Sequence, residues 1–370
     1  PRLGLRFLRY LSGGRQSSAC LPVCTTRQQR FYSVTGRERI ARALSHLEAD
    51  RVPMVDISYW PDTLSRWEQE GLPPGTDPRD YFGLDRIHTV GIDSTLRLPT
   101  SIQEETESYR LEGDANGVLM KAWKSSYAPP AEVDWRITSF SEWRQVRHRL
   151  APGPDRLNEG ARQAAIDARN RGSFVVMSPI EPAWFFIRTV GAETALPAML
   201  EEPEFFDDVL DAVTELVLGM LDEVRRQDIP VDALWFFSDL CYRNGMLFSP
   251  RVYRRHVLPR VSRICEACHA HGLKVIYHCD GHVSEFIPLL IEAGVDCLQP
   301  LEARAGNDVR DYRKQYGHDI AFFGNINADV VATGDRHAIE EEVRSKIGYA
   351  KEGGGYLYHI DHSVPPGVSF

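Results

Sequence analysis

From about residue 173 to residue 360 the chain repeats one pattern, an apolar run of strand length followed by an amphipathic run of helix length. Segments 173–180, 232–238, 274–279, 296–301, 320–325 and 355–360 read as strands. Segments 183–227 (broken near Pro203), 251–271, 284–294, 307–317 and 337–352 read as the helices between them. Strands separated by helices of this length form parallel βαβ units with right-handed crossovers. Earlier, residues 51–57 read as a first strand and residues 109–125 as a hairpin turning at 114–117, with helical stretches at 140–150 and 156–171. No glycine-rich phosphate loop follows the first strand, which argues against an open dinucleotide-binding sheet. The expected fold is α/β, a (β/α)8 TIM barrel over residues 37–370. Such a barrel covers its last strand with a helix; the sequence stops at Phe370, directly after its last strand, so that final helix is expected to be missing from it.

The first 33 residues differ in kind. Arginines 2, 6, 9, 15, 27 and 30 fall before any acidic residue, and the first three share one face of a helix whose other face carries Leu3, Phe7, Leu8 and Leu11. This is the pattern of a mitochondrial transit peptide, with cleavage expected after Tyr32. Such a leader would place the protein in the mitochondrial matrix; without one it would be cytoplasmic. The remainder is acidic, with 37 basic against 52 acidic residues, and has no basic patch. Nucleic acid is therefore not an expected partner. No stretch reaches the ~18 apolar residues of a membrane span. Seven scattered cysteines in so large a chain read as reduced thiols.

Barrel active sites lie at the carboxyl ends of the strands. Those ends hold Asp56, Glu181, Asp239, His278 with Asp280, Glu302, Asn325 with Asn327, and Asp361 with His362. Side chains alternate along a strand, so His278 and Asp280 face one way and Cys279 the other. A nitrogen and a carboxylate oxygen presented together suit a metal ion. Glu302 ends the neighbouring strand, and Asp361 or His362 could complete the shell. Nitrogen and oxygen ligands without thiolate suit Zn²⁺ and leave Mn²⁺, Fe²⁺ or Co²⁺ open. A metal-free polar cluster that binds substrate directly is the alternative. Asp239, His278 and Asp56 are the candidate catalytic groups. Glu181, Trp184, Tyr277, Asn325 and His362 are the candidate substrate contacts. Cys265-Glu266-Ala267-Cys268-His269 superficially matches a haem attachment site, but its cysteines fall near the buried stripe of a helix and read as core.

Several stretches resemble the uroporphyrinogen-decarboxylase-like superfamily. They are Ser238-Asp239-Leu240, Asn244-Gly245, Phe248-Ser249-Pro250, His278-x-Asp280-Gly281, Ala293-Gly294-Val295-Asp296, Pro300-Leu301-Glu302, Gly324-Asn325-Ile326, and Gly353 to Tyr356 leading to Asp361-His362. The resemblance implies a TIM barrel and two candidate chemistries. In true uroporphyrinogen decarboxylases an arginine-rich stretch follows the first strand; here that stretch is Ile57 to Asp62, with no arginine before Arg66. The other branch resembles cobalamin-linked methyltransferases and cobalamin-independent methionine synthase, whose zinc sits on His-x-Cys, a Glu and a further Cys. His278 and Glu302 match that set, while Asp280 takes the first Cys position and the further Cys is absent. The resemblance thus implies metal-dependent methyl transfer from a corrinoid or pterin-like carrier to a small acceptor, with a corrinoid protein as a candidate partner. Cofactor-free decarboxylation of a carboxylated substrate and a non-catalytic ligand-binding barrel are the alternatives.

Overall fold

In the computed structural model residues 34–125 and 129–370 are described. The leader, with its two cysteines and the expected transit peptide, lies outside the described residues. The described residues form thirteen strands, β1–β13 in chain order. Seven of them, β1 (Ile87–Gly91), β6 (Phe174–Ser178), β7 (Ala233–Phe236), β10 (Lys274–Cys279), β11 (Cys297–Pro300), β12 (Ala321–Phe323) and β13 (Tyr356–Leu357), form one parallel sheet in that order. The segment around Met54 supplies the eighth position. It bridges Tyr358 in parallel on one side, and on the other the Met54 carbonyl accepts the Asp85 N–H at 2.7 Å. The sheet therefore curls back on itself, as a TIM barrel does. Buried Asp85 holds that seam by accepting from Arg39, Arg51 and the Met54 N–H.

Strand alternation sorts the core into two layers. Phe174, Val176, Ala233, Ile276, Cys297, Ala321, Phe323 and Leu357 fill the barrel interior. The intervening Val175, Met177, Leu234, Phe236, Val275, Tyr277, Leu298 and Phe322 pack outward against the helices. A helix at Gly36–Leu44, not anticipated from the sequence, stoppers the amino-terminal end of the barrel with Ile40, Ala43 and Leu44. It starts from a capping box in which Thr35 and Glu38 satisfy each other's backbone N–H groups. With that end plugged, the carboxyl ends of the strands form the open face.

The expected strands from residue 173 onward are all present, somewhat shorter than read. The 183–227 region resolves into helices Pro182–Val190, Ala192–Glu201 and Pro203–Arg226. The anticipated hairpin is β3 (Tyr109–Gly113) with β4 (Val118–Trp123), and β2 (Ser101–Glu105) and β5 (Ala131–Trp135) widen it to a four-stranded antiparallel sheet. A small ribbon of β8 (Cys241–Tyr242) and β9 (Gly245–Met246) follows β7. Strand β1 was missed because His88 and Thr89 interrupt its apolar run and only Val90 is buried. After β13, Val364 and Val368 pack against Trp67 of the Pro61–Glu70 helix, whose indole N–H donates to the Val368 carbonyl at 2.9 Å. Cys265 and Cys268 are core residues, as expected, and burial pushes the Cys268 thiol up to about 12. No helix among the described residues is long and apolar enough to cross a membrane.

Candidate active site

A cavity of about 350 Å³ opens at the carboxyl ends of the strands. His278, near the end of β10, enters it from the inward-facing register. Its Nδ1 lies 2.5 Å from Oε1 of Gln299, the residue beside it on β11. An amide oxygen can only accept, so Nδ1 carries the proton and Nε2 is left as a ligand atom. The ring stacks on Phe237 with centroids 5.0 Å apart and planes 10° apart. From this fixed position Nε2 stands 3.5 Å from Asp239 Oδ1 and 3.8 Å from Asp280 Oδ1. The other oxygen of Asp280 lies 3.6 Å from His362 Nε2.

Two triads result, Asp239–His278–Asp280 and Asp280–Glu302–His362, each with donor atoms mutually within 4.8 Å. Asp280 belongs to both. The expected trio of His278, Asp280 and Glu302 does not form a single cluster: His278 and Glu302 fall on opposite sides of Asp280. The backbone is held as firmly as the side chains. Asp239 Oδ1 accepts the Asp280 N–H (3.2 Å), Glu302 Oε2 accepts the Gly281 N–H (2.8 Å), and the Ser238 hydroxyl donates to the His278 carbonyl (2.9 Å). Gly281 has φ +86°, and a Cβ there would sit 2.7 Å from the Tyr242 backbone nitrogen, so the sharp exit from β10 requires glycine.

Burial alone would lower the His278 pKa, but Asp239, Asp280 and Gln299 together reverse this and raise it. Burial likewise works to raise Asp280, and the neighbouring His362 and His278 overcome it, holding that carboxyl below its ordinary value. His362 is raised, mainly by its interaction with Asp280. Each carboxylate here is matched to a group that is, or can become, positive.

Other expected site residues have structural tasks. Asp361 is buried, and its two oxygens accept the N–H groups of Ala303 (2.8 Å) and Ala328 (2.9 Å), which removes it from the candidate ligand set. Asn325, fully buried, donates to the Leu301 and Asn307 carbonyls and accepts from the Val309 N–H. Asn307 in turn ties the Gly281 and Glu302 carbonyls together, so the two asparagines brace the loops beneath the triads. Tyr277 faces the helix layer, opposite His278, and has no access to the cavity. Glu181 is wholly buried and caps the Pro182–Val190 helix through the Trp184 N–H (2.7 Å). Trp184 packs on the outer core and does not line the cavity. Asp56 also lies off the cavity wall; its Oδ2 accepts the Tyr59 hydroxyl (3.1 Å), and burial pushes it up to about 6.

The cavity instead uses residues that the sequence reading passed over: Thr89, Ser178, Gln299 and His359, with Trp235 and Phe237 as apolar walls. Thr89, Ser178 and Gln299 occupy inward-facing positions of β1, β6 and β11, and His359 follows the end of β13 on the same parity. His359 is buried, and its pKa is lowered to about 3, first by burial and then by His278 and His362. Among the described residues no lysine or arginine lines the cavity.

A family model described as "Uroporphyrinogen decarboxylase (URO-D)" matches residues 174–370. Among curated proteins, the uroporphyrinogen decarboxylase of Streptomyces coelicolor is 28% identical over 173 residues, 45% of this chain and 44% of that protein. That of Syntrophotalea carbinolica is 24% identical over 194 residues, 52% of this chain and 53% of its own length. The chain thus spans about half the length of the curated relatives it matches. Among solved structures, a methyltransferase from Methanosarcina mazei superposes with a TM-score of 0.58 at 13% identity, over 90% of this chain and 94% of that one, a likeness of fold. With its parallel barrel and its polar triads at the carboxyl ends of the strands, the chain belongs to the uroporphyrinogen decarboxylase (URO-D) family of enzymes.

Proposed function

We propose that the protein is a metal-dependent transferase that moves a methyl group from a corrinoid or pterin-like carrier to a small acceptor. The proposed ligands are Asp239, His278 and Asp280, and zinc is the first candidate ion. The observation that carries this reading is the spacing of the donor atoms. At 3.5 and 3.8 Å, His278 Nε2 is too far from the two carboxylates for good hydrogen bonds. Bonds of 2.0–2.2 Å at tetrahedral angles put neighbouring ligand atoms roughly 3.3–3.6 Å apart. The observed spacings are within a few tenths of an ångström of that range. Asp280 Oδ1, the oxygen turned toward His278, is buried with no hydrogen-bond partner among the described residues. The Gln299 contact also fits, since metal-bound histidines characteristically donate their second N–H to an oxygen.

When bound, such an ion would polarise the acceptor and ease loss of its proton. The chain's own part is to hold His278 in one tautomer, keep Asp280 ionised beside it, and shield the acceptor from water with Trp235 and Phe237. A carboxylate-rich shell leaves less charge on the ion than a thiolate-free neutral shell would, which favours an oxygen acceptor over a thiol. Transfer from methylcobalamin to small alcohols and thiols, followed by the cobalamin spectrum, tests this. Turnover should stop in excess EDTA and return with zinc; transfer undiminished in EDTA would defeat the reading. Replacing Gln299 by leucine should weaken zinc binding about 10–100-fold, read by competition with a chelating dye, because His278 loses its orienting partner.

Decarboxylation is the second reading, favoured by the name of the family model and of the curated relatives. There Asp239 would stabilise a protonated intermediate and His278 would contact the substrate acid. A highly anionic porphyrinogen would find no lysine or arginine among the described residues of the cavity wall, so a smaller carboxylated substrate fits better. Carbon dioxide release that persists in excess EDTA would select this reading.

A further inference from the structure

A second cavity, of about 260 Å³, opens in the helix layer. It shares no lining residue with the cavity at the strand ends, so what binds there does not depend on the proposed function. On one side stand Met199, Leu200 and Pro203, where the Ala192–Glu201 helix meets the Pro203–Arg226 helix. On the other stand Arg251, Val252, Arg255 and His256, where a π-helical turn at Tyr253–Val257 precedes the Leu258–Ala270 helix. Such turns are rare and recur at functional sites. His256 is 5% exposed and its Nδ1 donates to Asp207 at 2.9 Å, which makes it a fixed part of the lining. Five arginines fall between residues 250 and 264 of this acidic chain. Three of them face carboxylates: Arg254 pairs with Glu292 (2.9 Å), Arg260 with Asp207 and Asp211 (both 2.8 Å), and Arg263 with Glu215 (2.6 Å). The other two, Arg251 and Arg255, are exposed, and among the described residues neither guanidinium has an ion pair or a hydrogen bond. Glu201, Glu202 and Glu204 border the opposite wall, yet none of them pairs with either arginine. Four residues apart, the two like charges are neighbours and repel each other.

We propose that this cavity binds a small phosphate ester whose organic group is apolar. Two adjacent guanidiniums present forks of N–H donors that match phosphate oxygens. Charge selects phosphate over carboxylate. A phosphate ester carries about −1.5 to −2 at pH 7 and balances both cations, whereas a carboxylate balances one. Met199, Pro203 and Val252 supply an apolar wall, and Leu200, 67% exposed, would be covered by the organic group. The space equals roughly nine water volumes, enough for a phosphate that bears a single small ring.

Titration calorimetry of the full chain with phenyl phosphate and with inorganic phosphate tests both halves of the site. Phenyl phosphate should bind saturably, about fivefold or more tighter than inorganic phosphate, because its ring covers apolar surface. Arg251→Gln and Arg255→Gln should each weaken phenyl phosphate about tenfold or more, the loss expected for a hydrogen bond between charged groups. Leu200→Ser should weaken phenyl phosphate about threefold and leave inorganic phosphate unchanged. All three side chains are exposed, so these variants should fold. His278→Ala should bind phenyl phosphate as the wild type does, which separates this site from capture by an ion at the strand ends. Absence of saturable phenyl phosphate binding, or its loss in His278→Ala, would overturn the proposal. So would equal phenyl phosphate affinity in the wild type and in the variant carrying both Arg251→Gln and Arg255→Gln. Inorganic phosphate bound as tightly as phenyl phosphate would overturn the assigned class of ligand.

Discussion

Replacing His278 by alanine is expected to strip the protein of zinc. The imidazole is the only nitrogen donor in its triad, with Nε2 3.5 Å from Asp239 and 3.8 Å from Asp280. Losing an outer partner of a metal ligand typically costs ~10–100-fold in affinity, and losing the ligand itself should cost more. The fold should survive, because His278 lies on the cavity wall and its removal leaves the outer core intact. A destabilisation of about 1 kcal/mol is expected, visible as a small shift in melting temperature. Glu302→Gln is the informative comparison. Glu302 belongs to the second triad, so its substitution should leave zinc affinity within about tenfold of the wild type. The opposite pattern, with His278→Ala binding zinc and Glu302→Gln failing to, would move the ion to the Asp280–Glu302–His362 triad.

The second large effect concerns stability rather than chemistry. Burial pushes the Glu181 carboxyl up to about 8, from an ordinary value of 4.5. The folded protein therefore keeps a proton that the unfolded chain releases. Stability from this group is fully present below about pH 4.5 and is lost as pH rises toward 8. The loss is on the order of 4 kcal/mol at about 1.4 kcal/mol per unit. Asp56, raised to about 6 by burial, adds a smaller contribution of the same sign. Glu181→Gln keeps an oxygen for the Trp184 N–H but cannot ionise. Urea midpoints measured at about pH 5 and pH 8 should fall steeply for the wild type and much less for the variant. Parallel declines would mean that the site is wetter than its burial implies.

The parts of this site that the sequence made legible are those that obey strand alternation. His278 and Cys279 fall on opposite faces of β10 as expected, and Asp239 and Asp280 reach the cavity from the ends of β7 and β10. The parallel barrel was legible for a related reason: its inner and outer strand faces are both apolar, so each barrel strand from β6 onward appears as an apolar run between amphipathic helices. Alternation fails where the strand stops. Asn325 has φ +81°, past the end of β12, and turns into the loops as a brace, while Asp361 turns to cap backbone amides. The inward residue nearer the mouth of that last strand is His359, two positions earlier. Glu181 carried a signal that would have identified it, since a proline follows it at the first position of a helix and marks it as a cap. Gln299 could be placed only once the β10–β11 register put it beside His278, a pairing that depends on tertiary packing rather than on either strand alone.

Zinc-edge X-ray absorption on protein loaded with one equivalent of zinc and then passed through a desalting column tests the central claim most directly. The account predicts that the zinc stays with the protein, in a shell of nitrogen and oxygen atoms at about 2.0–2.2 Å with one imidazole and no sulfur. Zinc that elutes separately from the protein, or a sulfur ligand near 2.3 Å, would contradict it.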